Sequence, residues 1–135
     1  MFQITKSLIT SPSRIQNGFI GASRTCFRYF SVQQVPSLEA FQKLQNSEGK
    51  SVVYFTAKWC GPCRRMGPIF EEVSDATKNI EFAKVDVDEN SEAANLIGIK
   101  SVPTFLFYFN GEEVSSFSGA DVALLKERIE DLQNA

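Results

Sequence analysis

The chain has 135 residues, enough for one domain with one hydrophobic core. Histidine is absent, which removes imidazole from any role as a general base or metal ligand. Of the 14 Lys and Arg, four lie in residues 1–30, which contain no acid, so residues 31–135 carry 10 basic against 16 acidic side chains, a net charge of −6. Such an acidic domain is unsuited to nucleic acid, whose phosphates it would repel. No apolar run approaches the roughly 20 residues that a membrane-spanning helix needs.

The first segment, residues 1–30, is basic, rich in Ser and Thr and free of acid, a composition typical of an organelle transit peptide. A secretory signal fits less well, because polar residues interrupt every candidate for its apolar core of about 7–15 residues. We predict a disordered mitochondrial transit peptide that is cleaved near Phe30–Ser31. A basic tail without function, or an address for another organelle, is the alternative. Cys26 would leave with this segment.

Strand and helix patterns alternate through the rest of the chain, with apolar residues recurring at a period of two or at helical spacing. Asn-Gly between two apolar runs is the strongest short-range signal for a hairpin. In chain order, the patterns predict a short edge strand at 31–35, a helix capped by Ser37, a central strand at 51–57, a helix from Gly61 to about Asn79 with a kink at Pro68, a strand at 80–88, a short helix capped by Asn90, two antiparallel strands joined at Asn110–Gly111, and a last helix that begins at Asp121.

This order, βαβαβαββα, predicts an α/β domain over residues 31–135. Parallel strands require crossover connections, which place covering helices on the sheet, whereas the terminal hairpin adds antiparallel strands. The expected architecture is therefore a central mixed sheet of about five strands with helices on both faces.

Two cysteines, Cys60 and Cys63, stand where the predicted central strand ends and the next helix begins, with only Gly61 and Pro62 between them. They could be a redox couple, half of a metal site, or an incidental pair of small core residues. A tetrahedral zinc site needs two further Cys or His ligands. Residues 31–135 offer none, so a metal would require two chains to share it.

The location of the pair favours redox chemistry. Unpaired N–H groups and the positive end of the helix dipole meet at Cys60, and both favour its thiolate form. Pro62 suits the first turn of a helix, because a main-chain N–H at that position would have no acceptor within the helix and its absence therefore costs nothing. In thiol–disulfide exchange, an exposed Cys60 thiolate would attack a disulfide of another protein, and the more buried Cys63 would then release that protein and leave Cys60–Cys63 oxidised.

The sequence around the pair resembles the thioredoxin family. The resemblance rests on "WCGPC" at 59–63, "VVYFTAK" before it, "RRMGPIFEEV" after it, and the distant "IKSVPTFLFYFNGEEV" and "FSGA". It covers almost all of residues 32–135 and implies the thioredoxin fold, without a metal. It also implies that Cys60 is the nucleophile, Cys63 the resolving cysteine and their bond a redox disulfide.

The resemblance assigns further roles around the two sulfurs. It implies a cis peptide bond at Val102–Pro103 beside the disulfide, where Val102 meets a substrate strand. Trp59 is expected to form a flat apolar wall for docking partners, with a core tryptophan as the alternative. Gly119 is expected to let a partner approach closely, or to serve a turn. Gly61 and Pro62 are expected to support the active site structurally.

One position departs from the family pattern. Thioredoxins usually carry a buried aspartate where this chain has Tyr54, six residues before the first cysteine. A phenol is a poor base near neutral pH. Lys84 matches the family's lysine beside that aspartate, and we hypothesise that a neutral Lys84 or a water accepts the Cys63 proton. Alternatively, Tyr54 only packs and resolution proceeds through solvent.

The function implied is that of a protein-disulfide reductase, a dithiol electron carrier that maintains thiol redox homeostasis in the mitochondrial matrix. It would bind no cofactor and would receive electrons from NADPH through a separate flavoprotein, thioredoxin reductase. Expected clients are peroxiredoxin and methionine sulfoxide reductase, and the expected state is a monomer with no membrane or nucleic-acid partner. The alternatives are a disulfide oxidase or isomerase, and a non-catalytic assembly subunit with idle cysteines.

Overall fold

The computed structural model describes residues 32–135, which form five strands and four helices in the predicted order. Their bounds are β1 Val32–Gln34, α1 Leu38–Gln45, β2 Lys50–Thr56, α2 Gly61–Ala76, β3 Ile80–Asp86, α3 Ser91–Ile97, β4 Thr104–Phe109, β5 Glu112–Ser118 and α4 Val122–Gln133. None of these four helices is both long enough and apolar enough to cross a membrane.

The strands form one mixed sheet in the order β1-β3-β2-β4-β5. β3 runs parallel to both β1 and β2, whereas β4 is antiparallel to β2 and β5. β2 is therefore the central strand, and its residues 51–55 are all buried. The α/β class and the mixed five-stranded sheet with helices on both faces, predicted from the sequence, are confirmed.

The two faces of the sheet carry separate apolar cores, because successive side chains of a strand point to opposite faces. Val53 and Phe55 of β2 pack with residues of α1 and α3. Val52 and Tyr54 pack on the other face with residues of α2 and α4. Helix α2, which begins beside the cysteine pair, is thus fixed to the sheet through the second core, by Met66 and Phe70 among others.

Several element boundaries differ from those predicted. The strand predicted at 80–88 ends at Asp86, because the Asp86 carboxylate accepts hydrogen bonds from the N–H groups of Asp88 and Glu89 and turns the chain. The helix predicted to reach Asn79 ends at Ala76, and Asn79 has a left-handed φ of 69°. The spacing of apolar residues does not reveal the hydrogen bonds of Asp86 or the left-handed conformation of Asn79, so both elements were predicted to be too long.

Core truncation provides a test of this packing. Leu125→Ala should lower the free energy of unfolding by about 2–5 kcal/mol, because Leu125 is fully buried between α4 and the sheet. Leu96→Ala is the matched control, since Leu96 is 54% exposed, and it should change stability by less than about 0.5 kcal/mol. Urea unfolding of the oxidised protein measures both, and equal effects would contradict the assigned core.

Candidate active site

Cys60 and Cys63 form a disulfide at the amino end of α2, with their Cα atoms 5.2 Å apart. Cys60 is the N-cap residue of the helix. The main-chain N–H of Cys63 donates a hydrogen bond to Cys60 Sγ, with 3.3 Å between nitrogen and sulfur. Pro62 occupies the first turn. A sulfur that accepts an amide hydrogen bond at a helix amino end is stabilised in its anionic form, which is the nucleophilic one.

The sulfurs are more enclosed than expected from the sequence. Cys60 is 5% exposed and Cys63 is 3% exposed, so the expectation of an openly exposed Cys60 is wrong. Ala57, Val87 and Val102 pack around the two cysteines and account for the closure. The exposed apolar surface of the site belongs instead to Trp59, whose side chain is 66% exposed and therefore no part of the core.

The cis peptide bond Val102–Pro103 lies directly beside the disulfide. The carbonyl oxygen of Val102 is 3.6 Å from Cys60 Sγ. Gly119, at the end of β5, donates its N–H to the carbonyl of Pro103 at 2.8 Å and has a φ of 111°, a conformation that suits glycine. The structure therefore places Val102 next to Cys60 and joins Gly119 to the neighbouring Pro103.

A hydrogen bond that was not predicted from the sequence holds Trp59 in position. Its indole Nε1 donates to Asp88 Oδ2 at 2.8 Å, and the adjacent Lys58 pairs with Glu89 at 2.9 Å. These bonds join the active-site loop to the turn after β3. The only available signal was the acidic run 86–89, and nothing local connects that run to Trp59. The hydrogen bond at the indole N–H orients the Trp59 ring, and most of the side chain remains exposed to solvent.

Tyr54 and Lys84 lie below α2, opposite one another in the β2–β3 pairing. Tyr54 is fully buried, and its hydroxyl donates to the main-chain carbonyl of Cys63 at 2.9 Å. Burial raises the pKa of Tyr54, and a hydrogen bond with Thr56 offsets only part of this effect. Lys84 is half-buried and makes no ion pair within residues 32–135. Both residues line a cavity that also reaches Cys63.

The remaining predicted positions flank this arrangement. Gly61 is exposed, and a side chain there would meet no atom within 4 Å, so close packing does not explain the glycine. Pro62 is also exposed. Among residues 32–135, no group of three or more His, Cys, Asp or Glu side chains has the arrangement of a metal site.

Comparison with known proteins gives one consistent result. A sequence model of the family described as Thioredoxin matches residues 29–131. The thioredoxin of Ictalurus punctatus is 45% identical over 104 residues, which cover 74% of this chain and 97% of that protein. The oxidised mitochondrial thioredoxin 3 of Saccharomyces cerevisiae superimposes with a TM-score of 0.71 at 32% identity, covering 76% of this chain and 97% of that one.

A second structure from yeast is similar to the same extent. It belongs to a study of thiol resolution in the yeast mitochondrial 1-Cys peroxiredoxin by glutathione and thioredoxin systems. Its TM-score is 0.71 at 31% identity, and the match covers 76% of this chain and 97% of that chain.

The raised pKa of two buried tyrosines predicts a loss of stability in alkali. Burial raises the pKa of Tyr54 and of Tyr108, where the Glu113 charge adds to the effect. In the unfolded chain both tyrosines ionise at their ordinary pKa of about 10, whereas in the folded protein they stay neutral to higher pH. The stability that depends on the neutral phenols is therefore fully present below about pH 10 and is lost as the pH rises further, because ionisation then favours the unfolded chain.

The measurement is urea unfolding at about pH 8 and about pH 11. Tyr54→Phe should lose less stability over this interval than the parent protein, and the comparison cancels the titration of lysines common to both. Equal losses in parent and variant would contradict the assignment.

Proposed function

Since the chain belongs to the thioredoxin family, we propose that it is a dithiol reductant of the mitochondrial matrix that keeps protein thiols reduced. Its reaction is thiol–disulfide exchange through Cys60 and Cys63, which makes it a thioredoxin-type protein-disulfide oxidoreductase. The observation that carries this function is the disulfide at the amino end of α2, enclosed beside the cis peptide of Pro103.

The geometry divides the work between the two sulfurs. In the disulfide form Cys60 Sγ accepts the N–H of Cys63, and the same N–H would stabilise the Cys60 thiolate after reduction, so we assign to Cys60 the attack on the client disulfide. Cys63, one helical turn away, attacks the resulting mixed disulfide. Val102 is half-buried next to Cys60, and its main chain is available to a client segment that lies across the site. Contacts with main chain rather than with side chains suit a carrier that accepts many clients.

The oxidised pair must be reduced again by another protein. The sequence has no Gly-rich dinucleotide-binding fingerprint, which supports a separate flavoprotein reductase that draws on NADPH. Peroxiredoxins and methionine sulfoxide reductases are the proposed clients. The yeast structure connected with a mitochondrial 1-Cys peroxiredoxin supports the first of these. Because one chain carries both sulfurs and the surface around them, we infer that it acts as a monomer.

Residues 1–30 are proposed to direct the chain to mitochondria and to be removed there. The supporting observation is their composition, with four basic and no acidic residues. The family match begins only at residue 29, so almost all of this segment lies outside it. The structurally similar yeast protein is itself described as mitochondrial.

The reduction potential of the Cys60–Cys63 couple distinguishes a reductase from an oxidase or isomerase. In the Cys26→Ser chain, equilibrated with a dithiothreitol buffer, we expect a value near the −270 mV or so of thioredoxins. Protein disulfide isomerase lies at about −180 mV and the bacterial disulfide oxidase at about −120 mV. A value close to either of those would assign the chain to making or shuffling disulfides.

Import provides the test of location. The full chain with a carboxy-terminal fluorescent tag should enter mitochondria, whereas a chain that starts at Ser31 should stay diffuse in the cytosol. Mass spectrometry of the imported protein should find an amino terminus near Phe30–Ser31. A mature pool that retains residue 1, or import without residues 1–30, would contradict the proposal, and entry into another organelle would redirect it.

A further inference from the structure

A cavity of about 460 Å³ lies directly beside Cys63. Its floor is a row of side chains that the strand register sets next to one another, Gln34 of β1, Lys84 of β3 and Tyr54 of β2. Its roof is the first part of α2, including Cys63 and Gly67. Lys58, Arg64 and Glu71 at its edge are exposed, so the cavity is open to water.

Gly67 contributes to this space by lacking a side chain. A Cβ at position 67 would have no neighbour within 4 Å, so packing does not demand glycine there. Glycine is also among the least favourable residues for a helix interior. Glycine at position 67 therefore lowers the intrinsic stability of the helix, but it leaves the space beside Cys63 unfilled.

Tyr54 is the residue of the cavity floor that contacts Cys63. Its ring is stacked on Phe105 at 4.8 Å and tilted against Phe70 at 5.0 Å, which fixes the direction of the hydroxyl. That hydroxyl is the donor to the Cys63 carbonyl at 2.9 Å. The phenol therefore holds the main chain of the residue whose sulfur must turn toward Cys60. Because burial raises the pKa of Tyr54, the phenol stays protonated and takes no proton from Cys63.

We propose that Tyr54 is a positioning residue for the resolving step and that water in the cavity kept open by Gly67 takes the proton of Cys63. The inference rests on the thiol–disulfide exchange described above. The Cys63 thiol loses its proton to water, and its sulfur attacks Cys60 Sγ of the mixed disulfide. The Cys60–Cys63 bond forms, the bond between Cys60 and the client breaks, and the client leaves as a thiolate that takes up a proton from solvent.

Three carboxylates line the cavity, and within residues 32–135 none of them forms a hydrogen bond with Cys63. Among the carboxylates, Glu89 is paired with Lys58, and Asp86 Oδ1 already accepts two main-chain N–H groups. Six charged side chains face this space from β3, α2 and the adjoining loops: Lys58, Arg64, Glu71, Lys84, Asp86 and Glu89. Water can pass the proton to any of them or to bulk solvent, so the rate should follow a single ionisation, that of Cys63 itself.

The test separates the two chemical steps with dithiobis(nitrobenzoate), an aromatic disulfide that releases a coloured thiolate. The protein is the reduced full chain with Cys26→Ser, so that only the pair reacts. Attack by Cys60 releases the first equivalent at a rate proportional to reagent concentration. Resolution by Cys63 releases the second at a rate independent of it. Stopped-flow absorbance follows both between about pH 6 and about pH 10, on either side of the ordinary thiol pKa of about 8.5.

Gly67→Leu fills the cavity and should slow the second phase about tenfold below the thiol pKa, with the first phase unchanged. At high pH the defect should disappear, because a Cys63 that is already ionised needs no acceptor. Gly67→Ala adds only one methyl group and should slow the second phase less than Gly67→Leu, with the same pH dependence, because the effect should grow with the volume that is filled. Gly67→Met replaces Gly67→Leu if circular dichroism shows that the latter does not fold.

Tyr54→Phe keeps the stacked ring and removes only the hydroxyl. It should slow the second phase about three- to tenfold, the range expected for one neutral hydrogen bond, and to the same extent at low and high pH. Second phases equal to that of the parent in both variants, or first phases slowed equally, would overturn the inference. If the protein with only Cys26→Ser releases no second equivalent of coloured thiolate, Cys63 does not resolve the mixed disulfide. That result would contradict the proposed function itself, thiol–disulfide exchange through the pair.

Discussion

The burial of β2 between β3 and β4 is the constraint on which the rest of the structure depends. Because β2 is the middle strand of a mixed sheet and covered on both faces, its register with each neighbour is fixed by two apolar cores. The antiparallel pairing sets Phe55 opposite Thr104, so the carboxyl end of β2 meets the amino end of β4. Cys60 and the cis peptide bond Val102–Pro103 are thereby brought into contact, although Cys60 and Val102 are 42 positions apart in the chain.

This arrangement separates reactivity from recognition. The sulfurs are enclosed at the amino end of α2, where main-chain N–H groups rather than charged side chains stabilise a thiolate, so the effect does not depend on exposed charges that salt would screen. The surface that we propose for recognition is formed by Trp59, which is exposed, and by the main chain of half-buried Val102. A carrier with many clients requires both properties, and one strand–helix junction provides them.

The sequence predicted the elements and their order because periodicity and turn chemistry are local. Asn110–Gly111 forms the hairpin turn, with positive φ at both residues, as its sequence indicated. The redox chemistry of the two cysteines was predicted from their place between a strand and a helix and was specified further by the family resemblance, whereas the cis peptide came from the resemblance alone. The enclosure of Cys60 and the hydrogen bond from Trp59 to Asp88 were missed, because each depends on residues that only the folded chain brings together.

Tyrosine at position 54 exchanges a charge for a hydrogen bond at the most buried point of the site. The buried aspartate that thioredoxins usually carry at this position is costly to bury as a charged group. That cost is reduced by a nearby cation, such as the lysine at position 84, or by a raised pKa that keeps the carboxyl neutral. The Tyr54 hydroxyl is neutral and has its acceptor in the Cys63 carbonyl, so it avoids most of that cost, while its ring joins the cluster of Phe70 and Phe105. The exchange leaves no carboxylate at position 54 to receive a proton from Cys63. An open cavity at the same place restores a receiver in the form of water, which is why the glycine at position 67 and the tyrosine at position 54 are best understood as one adaptation of the site.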